Sequence, residues 1–139
     1  MLIMKQIKNS KYWGLVCEEI ATNYLKRKGY CLVERNYLKK CGEIDIIVEK
    51  DGLIHFVEVK GVIHETNPNN VNRVTTRSFD CHRVEDNLSS RKLNRLKRTI
   101  GVYLSEKATT ENWCLDAILI YLNPKNRSAR AVFMPNILI

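Results

Sequence analysis

The first periodic stretch of the chain predicts an amphipathic helix from about Ser10 to Lys28. Its apolar residues recur at intervals of three and four, which places them on one side of a helix, and Gly29 follows as a common C-terminal stop. These apolar positions are Trp13, Val16, Cys17, Ile20, Ala21, Tyr24 and Leu25. Glu18 falls at the edge of this stripe, where an acid either faces a cleft over a sheet or is an ordinary boundary residue.

Later apolar runs predict a second helix and several strands. Residues 30–37 and 113–122 have the length and composition of strands, and residues 129–134 are a candidate for one more. Residues 89–104 return to helical spacing, and the positions predicted to pack inward are Leu93, Leu96, Ile100, Tyr103 and Leu104. Residues 61–87 show no sustained periodicity, which predicts a long loop.

Residues 42–60 have the pattern of a β-hairpin. Two β-branched, apolar runs flank Asp51-Gly52, a dipeptide that tolerates the positive φ angles of a tight turn. If the turn consists of these two residues, Lys50 lies opposite Leu53. A three-residue turn with a glycine bulge is the alternative, and the sequence is compatible with both.

The choice of turn decides which charged residues face one another. The two-residue turn places Asp45 opposite Glu58 and Glu43 opposite Lys60, with all four on one face. The three-residue turn pairs Asp45 with Val57 and directs Glu58 to the other face. The first register therefore predicts a cluster of charges, and the second disperses it.

An aspartate facing a glutamate in an apolar hairpin calls for an explanation, because directly opposed like charges repel. A divalent cation supplies one, since Mg²⁺ is held by carboxylates together with water and substrate phosphate. Lys60, two residues after Glu58, points to the same face and would stabilise negative charge developing on phosphorus. The competing interpretation is a solvated edge hairpin whose charges face water.

The order of elements predicts a single α/β domain, a mixed central sheet flanked by helices. The chain has 139 residues, 45% of them hydrophobic, which is enough for one core. Its formal net charge of +8 favours an anionic partner, most commonly nucleic acid. No segment has the ~20 consecutive apolar residues of a membrane span. Five scattered cysteines without a Cys-x-x-Cys pair predict a cytoplasmic protein with reduced thiols.

One side of the second predicted helix is strongly basic. Lys92, Arg95 and Arg98 recur every third residue, and Arg91 lies close to them. Cations on one helical surface can follow a phosphate backbone, whereas an ordinary solvated face is the simpler alternative. The absence of compensating acids through the helix favours nucleic-acid binding.

The order of three motifs resembles the PD-(D/E)xK nuclease superfamily. The motifs are Glu18, then Gly42-Glu43-Ile44-Asp45, then Phe56-Val57-Glu58-Val59-Lys60. Within that superfamily the chain is similar to the bacterial YraN-like family of uncharacterised, endonuclease-like proteins. The similarity extends to the segments 14–21 and 92–96 and to Asp116, and it covers most of the chain apart from about residues 61–87 and the C-terminal tail.

This resemblance implies a restriction-endonuclease-like core and a specific set of site residues. Asp45 and Glu58 would be ligands of Mg²⁺ or Mn²⁺, Lys60 the catalytic lysine, and Glu18 an accessory acid from the first helix. The implied function is a metal-dependent nuclease acting on DNA. Because the sequence shows no recognition element such as a zinc finger, we expect selectivity for DNA structure, such as branches, flaps or ends, rather than for base sequence. Related nucleases often act as dimers, so a homodimer is one expected assembly.

Two positions depart from the family pattern. Cys17 stands where a second glycine is usual, and Val62 stands where the family has an arginine two residues after the motif lysine. The missing arginine bears on phosphate contacts more than on metal binding. It also keeps open a nucleic-acid-binding module that does not cleave. A second alternative is an accessory subunit of a DNA repair or recombination assembly, with the long polar loop as its docking surface.

Overall fold

Two helices and six strands make up the described part of the computed structural model, which comprises residues 10–66, 74–78 and 90–138. In chain order they are α1 (Ser10–Arg27), β1 (Cys31–Lys39), β2 (Gly42–Lys50), β3 (Leu53–Thr66), β4 (Val74–Ser78), α2 (Ser90–Glu106), β5 (Trp113–Asn123) and β6 (Ser128–Met134). The predicted α/β class is confirmed. No helix in these ranges is long and apolar enough to cross a membrane.

The sheet is mixed, with the strand order β1-β2-β3-β5-β6. The first three strands form an antiparallel meander, β3 and β5 are parallel, and β6 returns antiparallel to β5. A parallel pair needs a crossover, and the segment containing α2 supplies it.

The two helices pack on opposite faces of this sheet. Val57 belongs to the hydrophobic cluster beneath α1, whereas its neighbour Phe56 belongs to the cluster beneath α2. Because successive residues of a strand point to opposite faces, the clusters are two separate layers. The α1 layer also contains Cys17, Ala21, Leu25 and Ile118. The α2 layer also contains Leu96, Ile100, Tyr103 and Leu115.

The hairpin between β2 and β3 has the two-residue turn. Asp51 and Gly52 both have positive φ, 53° and 74°, as a type I′ turn requires. Lys50 pairs with Leu53, and the register continues to the pair of Ile46 and Val57. The three-residue alternative is therefore excluded.

The predicted loop over residues 61–87 is wrong in two places. β3 continues to Thr66, and Val74–Ser78 forms β4, which pairs antiparallel with the end of β3. β-branched residues favour strands in both segments, although their polar neighbours hide the pattern. Residues 67–73 and 79–87 lie outside the described ranges.

The sheet is interrupted on one edge of β3. Val62 pairs with β4 and also with β5, so β4 must lie on the same edge of β3 as β2. The ladder with β2 ends at Val57, and the ladder with β4 begins at Val62. Among the described residues, 58–61 have no ladder partner on that edge, and this opening contains the predicted motif.

Candidate active site at the opening between β2 and β3

The Asp45 carboxylate takes the place of a backbone partner at the opening. Its Oδ2 accepts a hydrogen bond of 2.9 Å from the Val59 amide. A side chain near the start of β2 therefore accepts the hydrogen bond of a β3 amide at the point where the two backbones have separated. The bond fixes the Asp45 carboxylate next to the Glu58-Val59-Lys60 segment.

Neighbouring acids make the position of Asp45 electrostatically unfavourable for a charge. Burial raises the pKa of the Asp45 carboxyl well above its ordinary value, and the charge of Glu58 raises it further. The hydrogen bond from Val59 opposes this shift, while Glu18 and Glu43 add to it. These four acids, Glu18, Glu43, Asp45 and Glu58, are called the acid cluster below.

Glu18 is the member of the acid cluster that comes from α1. Burial and the charge of Glu43 raise the pKa of the Glu18 carboxyl. The charge of Arg35 and a hydrogen bond from Asn36 lower it. In the amide orientation that satisfies its neighbours, the nitrogen of Asn36 lies 3.1 Å from Glu18 Oε2 and 3.2 Å from Glu43 Oε1. Asn36 therefore links the helix acid to the start of β2.

Two lysines contact Glu58 from different elements. Glu58 is only 6% exposed, and its Oε1 lies 3.5 Å from Lys60 Nζ on the same strand. The Nζ of Lys92, on α2, lies closer, at 3.0 Å from the same oxygen. The site thus receives an acid from one helix layer and a cation from the other.

Lys92 differs from the other basic residues predicted to bind nucleic acid. Arg91, Arg95 and Arg98 are exposed on α2, and no described acid forms an ion pair with them. Lys92 is partly buried and points to Glu58. The structure therefore divides the predicted basic surface into an outer group of three arginines and one lysine in the site.

The donor set of the acid cluster suits a hard cation. It consists of carboxylate oxygens, the ligands that Mg²⁺ and Mn²⁺ prefer, and the crowding around Asp45 is the kind of repulsion that a cation relieves. Among the described residues, three ligand atoms lie within 4.8 Å of one another only at His55, Cys114 and Asp116. A cation at the acid cluster would accordingly use about two carboxylates and complete its shell with water, as Mg²⁺ commonly does.

Two contacts within the site were not predicted from the sequence, although Asn36 follows the family's order and Lys92 was expected to bind nucleic acid: those of Asn36 with Glu18 and Glu43, and that of Lys92 with Glu58. Asn36 occupies the left-handed region, with φ of 52° inside β1, a conformation that asparagine tolerates but that strand periodicity does not reveal. Lys92 follows a helical pattern that predicts exposure, and only the packing of α2 shows its contact with Glu58. An asparagine interrupting a strand near two acids was the one available signal.

Comparison with known proteins places the chain among uncharacterised relatives. The model of the family described as "Uncharacterised protein family UPF0102" matches residues 17–120, a range that includes the acid cluster and both lysines. A UPF0102 protein of Helicobacter hepaticus is 33% identical over 112 residues, which is 81% of this chain and 86% of the relative. A UPF0102 protein of Campylobacter lari is 36% identical over 109 residues, 78% of this chain and 83% of the relative. One from Helicobacter pylori strain HPAG1 is 36% identical over 107 residues, 77% and 79% of the two chains.

Proposed function

The chain belongs to the uncharacterised protein family UPF0102, as its sequence resemblance predicted, and we propose that this member is a metal-dependent nuclease that hydrolyses phosphodiester bonds in DNA. The observation that carries the proposal is the placement of Asp45. Its carboxylate is held beside Glu58 in spite of burial and repulsion, both of which raise its pKa. Carboxylates with strongly perturbed pKa values are typical of functional sites.

The site residues divide into groups that hold a cation and groups that manage charge around it. Asp45 and Glu58 would hold Mg²⁺ or Mn²⁺, and the bound ion would supply positive charge for attack by water on a phosphodiester. Lys60 keeps an ammonium group beside Glu58, where it can orient water and stabilise charge on the phosphoryl oxygens. Glu18, oriented by Asn36, supports the site as a nearby hydrogen-bond acceptor.

The proposed substrate follows from charge and shape. The net charge of +8 and the three exposed arginines of α2 suit a phosphate backbone. The site lies at the opening between β2 and β3, and we assign it DNA branches, flaps or ends in preference to a base sequence, because backbone contacts carry no sequence information. Cytoplasmic location and assembly as a homodimer belong to the same proposal.

The test is cleavage by purified protein of single-stranded, duplex, flapped and four-way-junction DNA, with matched RNA, in Mg²⁺, Mn²⁺ or EDTA. We expect metal-dependent cutting that falls at least about 100-fold in Asp45→Asn and in Lys60→Ala, the scale of losing a transition-state interaction. Asp51→Asn, in the turn of the same hairpin, and Lys40→Ala, in the preceding turn, are matched controls that should retain activity. Both of these residues are exposed.

Other outcomes point to the competing functions. Salt-sensitive binding of DNA without cutting in any metal would contradict the nuclease and support a binding module. Activity that appears only with a co-purified partner would support an accessory subunit of a repair or recombination assembly. Cutting that survives both substitutions would place the active site elsewhere.

A further inference from the structure

A second cluster of ligand-type side chains lies on the α1 face of the sheet. His55 of β3 is paired with Cys114 on the neighbouring strand β5. Its Nδ1 lies 2.6 Å from Asp116 Oδ2 and 3.0 Å from Cys114 Sγ. The Sγ of Cys114 is 3.6 Å from both carboxylate oxygens of Asp116. A nitrogen, a sulfur and an oxygen therefore converge on one small volume.

This cluster is separate from the acid cluster. His55 precedes Glu58 by three residues, about 10 Å along β3 at the usual rise per residue. An odd separation also directs the two side chains to opposite faces of the strand. Nothing in the proposed nuclease chemistry uses His55, Cys114 or Asp116.

The arrangement does not fit a nucleophilic cysteine. In a Cys-His-Asp relay, the thiol and the carboxylate contact different ring nitrogens of the histidine. Here both approach the same Nδ1, which carries at most one proton.

We propose that His55, Cys114 and Asp116 form a second metal site, selective for Zn²⁺ or a similar borderline-soft cation. The ligand types are those of zinc sites, and three protein ligands leave one position for water or a further ligand. Ligand atoms around tetrahedral Zn²⁺ lie roughly 3.3–3.7 Å apart at normal bond lengths. The 3.6 Å distance between Cys114 Sγ and Asp116 Oδ2 already matches this spacing. The distances from His55 Nδ1 to Asp116 Oδ2 and to Cys114 Sγ are shorter than the tetrahedral spacing by roughly 0.6–0.7 Å.

The surroundings hold the ligands in place. The backbone amide of Asn136 donates a hydrogen bond of 2.7 Å to Asp116 Oδ1, and Asp116 Oδ2 is directed at His55. The ring of Tyr30 packs edge-on against the His55 ring, with centroids 5.0 Å apart. Outer contacts of this kind orient metal ligands in proteins. A cation here would connect β3, β5 and the C-terminal segment that carries Asn136.

The test uses Co²⁺ as a spectroscopic substitute for Zn²⁺ in the full chain after treatment with a chelator. We expect one equivalent of Co²⁺ to give a thiolate charge-transfer band, to be displaced by Zn²⁺ and to resist excess Mg²⁺. The band should disappear in Cys114→Ser and in His55→Gln. It should persist in Cys31→Ser, which removes an exposed thiol, and in Asp45→Asn, which alters the acid cluster.

Thermal unfolding distinguishes a metal site from a hydrogen-bonded cluster. Zn²⁺ should raise the Tm of the wild type and of Asp45→Asn. The Tm of Cys114→Ser and the Tm of Asp116→Asn should be the same with and without Zn²⁺. If these variants lose stability while the wild type shows neither a Co²⁺ band nor a Zn²⁺-dependent shift in Tm, the cluster is only structural and the proposal is wrong. A band retained in Cys114→Ser would also overturn it. Neither result depends on nuclease activity.

Discussion

Asp45 occupies a position that folding alone does not favour for a carboxylate. It is partly buried, it lies near three other acids, and it receives one hydrogen bond, from Val59. An asparagine would accept the same hydrogen bond without the charge. An aspartate at such a position is consistent with the proposed site, because functional sites commonly lose stability for the sake of chemistry.

The first prediction follows from the raised pKa of Asp45. A raised pKa means that the folded chain keeps a proton that the unfolded chain has lost. Stability should therefore fall as pH rises from the ordinary aspartate pKa of about 3.9 through the higher pKa of the folded state. Asp45→Asn should remove this loss and raise the free energy of unfolding at neutral pH by roughly 1 kcal/mol. Urea unfolding of both proteins between pH 4 and 8, in EDTA, measures the difference.

The control for this prediction is Asp51→Asn, the same chemical change in the exposed turn of the same hairpin. Asparagine tolerates the positive φ of that position, so its stability should parallel the wild type at every pH. If Asp45→Asn is destabilised at neutral pH, the carboxylate is a favourable part of the fold and the argument from repulsion fails.

At the residue scale, the local sequence pattern predicted the features that the hairpin determines by itself, namely its turn and the register next to the turn. Asp51-Gly52 specified the turn, and the turn fixed the register as far as the pair of Ile46 and Val57. The expected direct pairs of Asp45 with Glu58 and of Glu43 with Lys60 are not part of the ladder, because the two strands separate beyond that point. The contacts of Asn36 and Lys92 within the site were not predicted, because they join elements that are distant in the chain. A positive φ inside a strand and the exact placement of a helix over a sheet leave no periodic signature.

At the scale of elements, α2 performs two tasks on different sides. Leu96, Ile100 and Tyr103 are buried in the layer beneath it. Lys92, near its N-terminal end, reaches Glu58 at the opening of the sheet. The exposed side carries the three arginines, so a nucleic acid lying along α2 would be led towards the acid cluster.

The second prediction concerns this exposed side. Substituting glutamine for Arg91, Arg95 and Arg98 should weaken DNA binding and reduce the dependence of log K on log salt by about 1 to 3, since each phosphate contact contributes roughly 0.9 for duplex DNA. Lys92→Gln should change this slope little, because its ammonium faces Glu58. Fluorescence anisotropy with labelled duplex between 50 and 300 mM salt, about the range where such slopes are measured, provides the data.

A matched control removes the same charge elsewhere. Glutamine at Lys26, Arg27 and Lys125, all exposed and outside α2, should leave the slope nearly unchanged. Equal losses in both triple variants would mean that net charge, rather than the face of α2, governs binding. A slope that falls most in Lys92→Gln would place that lysine on the DNA.

The elements themselves were predicted to different degrees. Both helices, the three-strand meander and β5 have strong periodicity or long apolar runs, and the structure confirms them. The end of β3 and all of β4 were missed, because β4 has five residues and exists as a strand through its pairing with β3. A short polar strand of this kind is specified by its partner and not by its own pattern.

At the scale of the whole molecule, an acid cluster is embedded in a chain of net charge +8. If the chain is the proposed nuclease, its positive field would attract a phosphate backbone, while the carboxylates at the opening of the sheet would repel the phosphate that comes closest to them. A divalent cation at the acid cluster would reverse this local repulsion. Metal and DNA should therefore bind with positive coupling, each raising the affinity for the other.

The third prediction measures this coupling through the affinity for DNA. In EDTA, Asp45→Asn should bind duplex more tightly than the wild type at a pH where the Asp45 carboxylate is ionised. Removing one charge near the phosphate is worth about 1 kcal/mol even at the dielectric constant of water, or roughly fivefold in affinity. Ca²⁺, another hard cation that binds oxygen ligands, should raise the affinity of the wild type for DNA. It should therefore reduce the difference in DNA affinity between the wild type and Asp45→Asn. Asp51→Asn removes an exposed charge outside the acid cluster, so its DNA affinity with and without Ca²⁺ shows how much of the change comes from general screening of charge. If the wild type and Asp45→Asn bind equally in EDTA and respond alike to Ca²⁺, the acid cluster does not face the phosphate, and the basic surface of the molecule must direct DNA to another region of the chain.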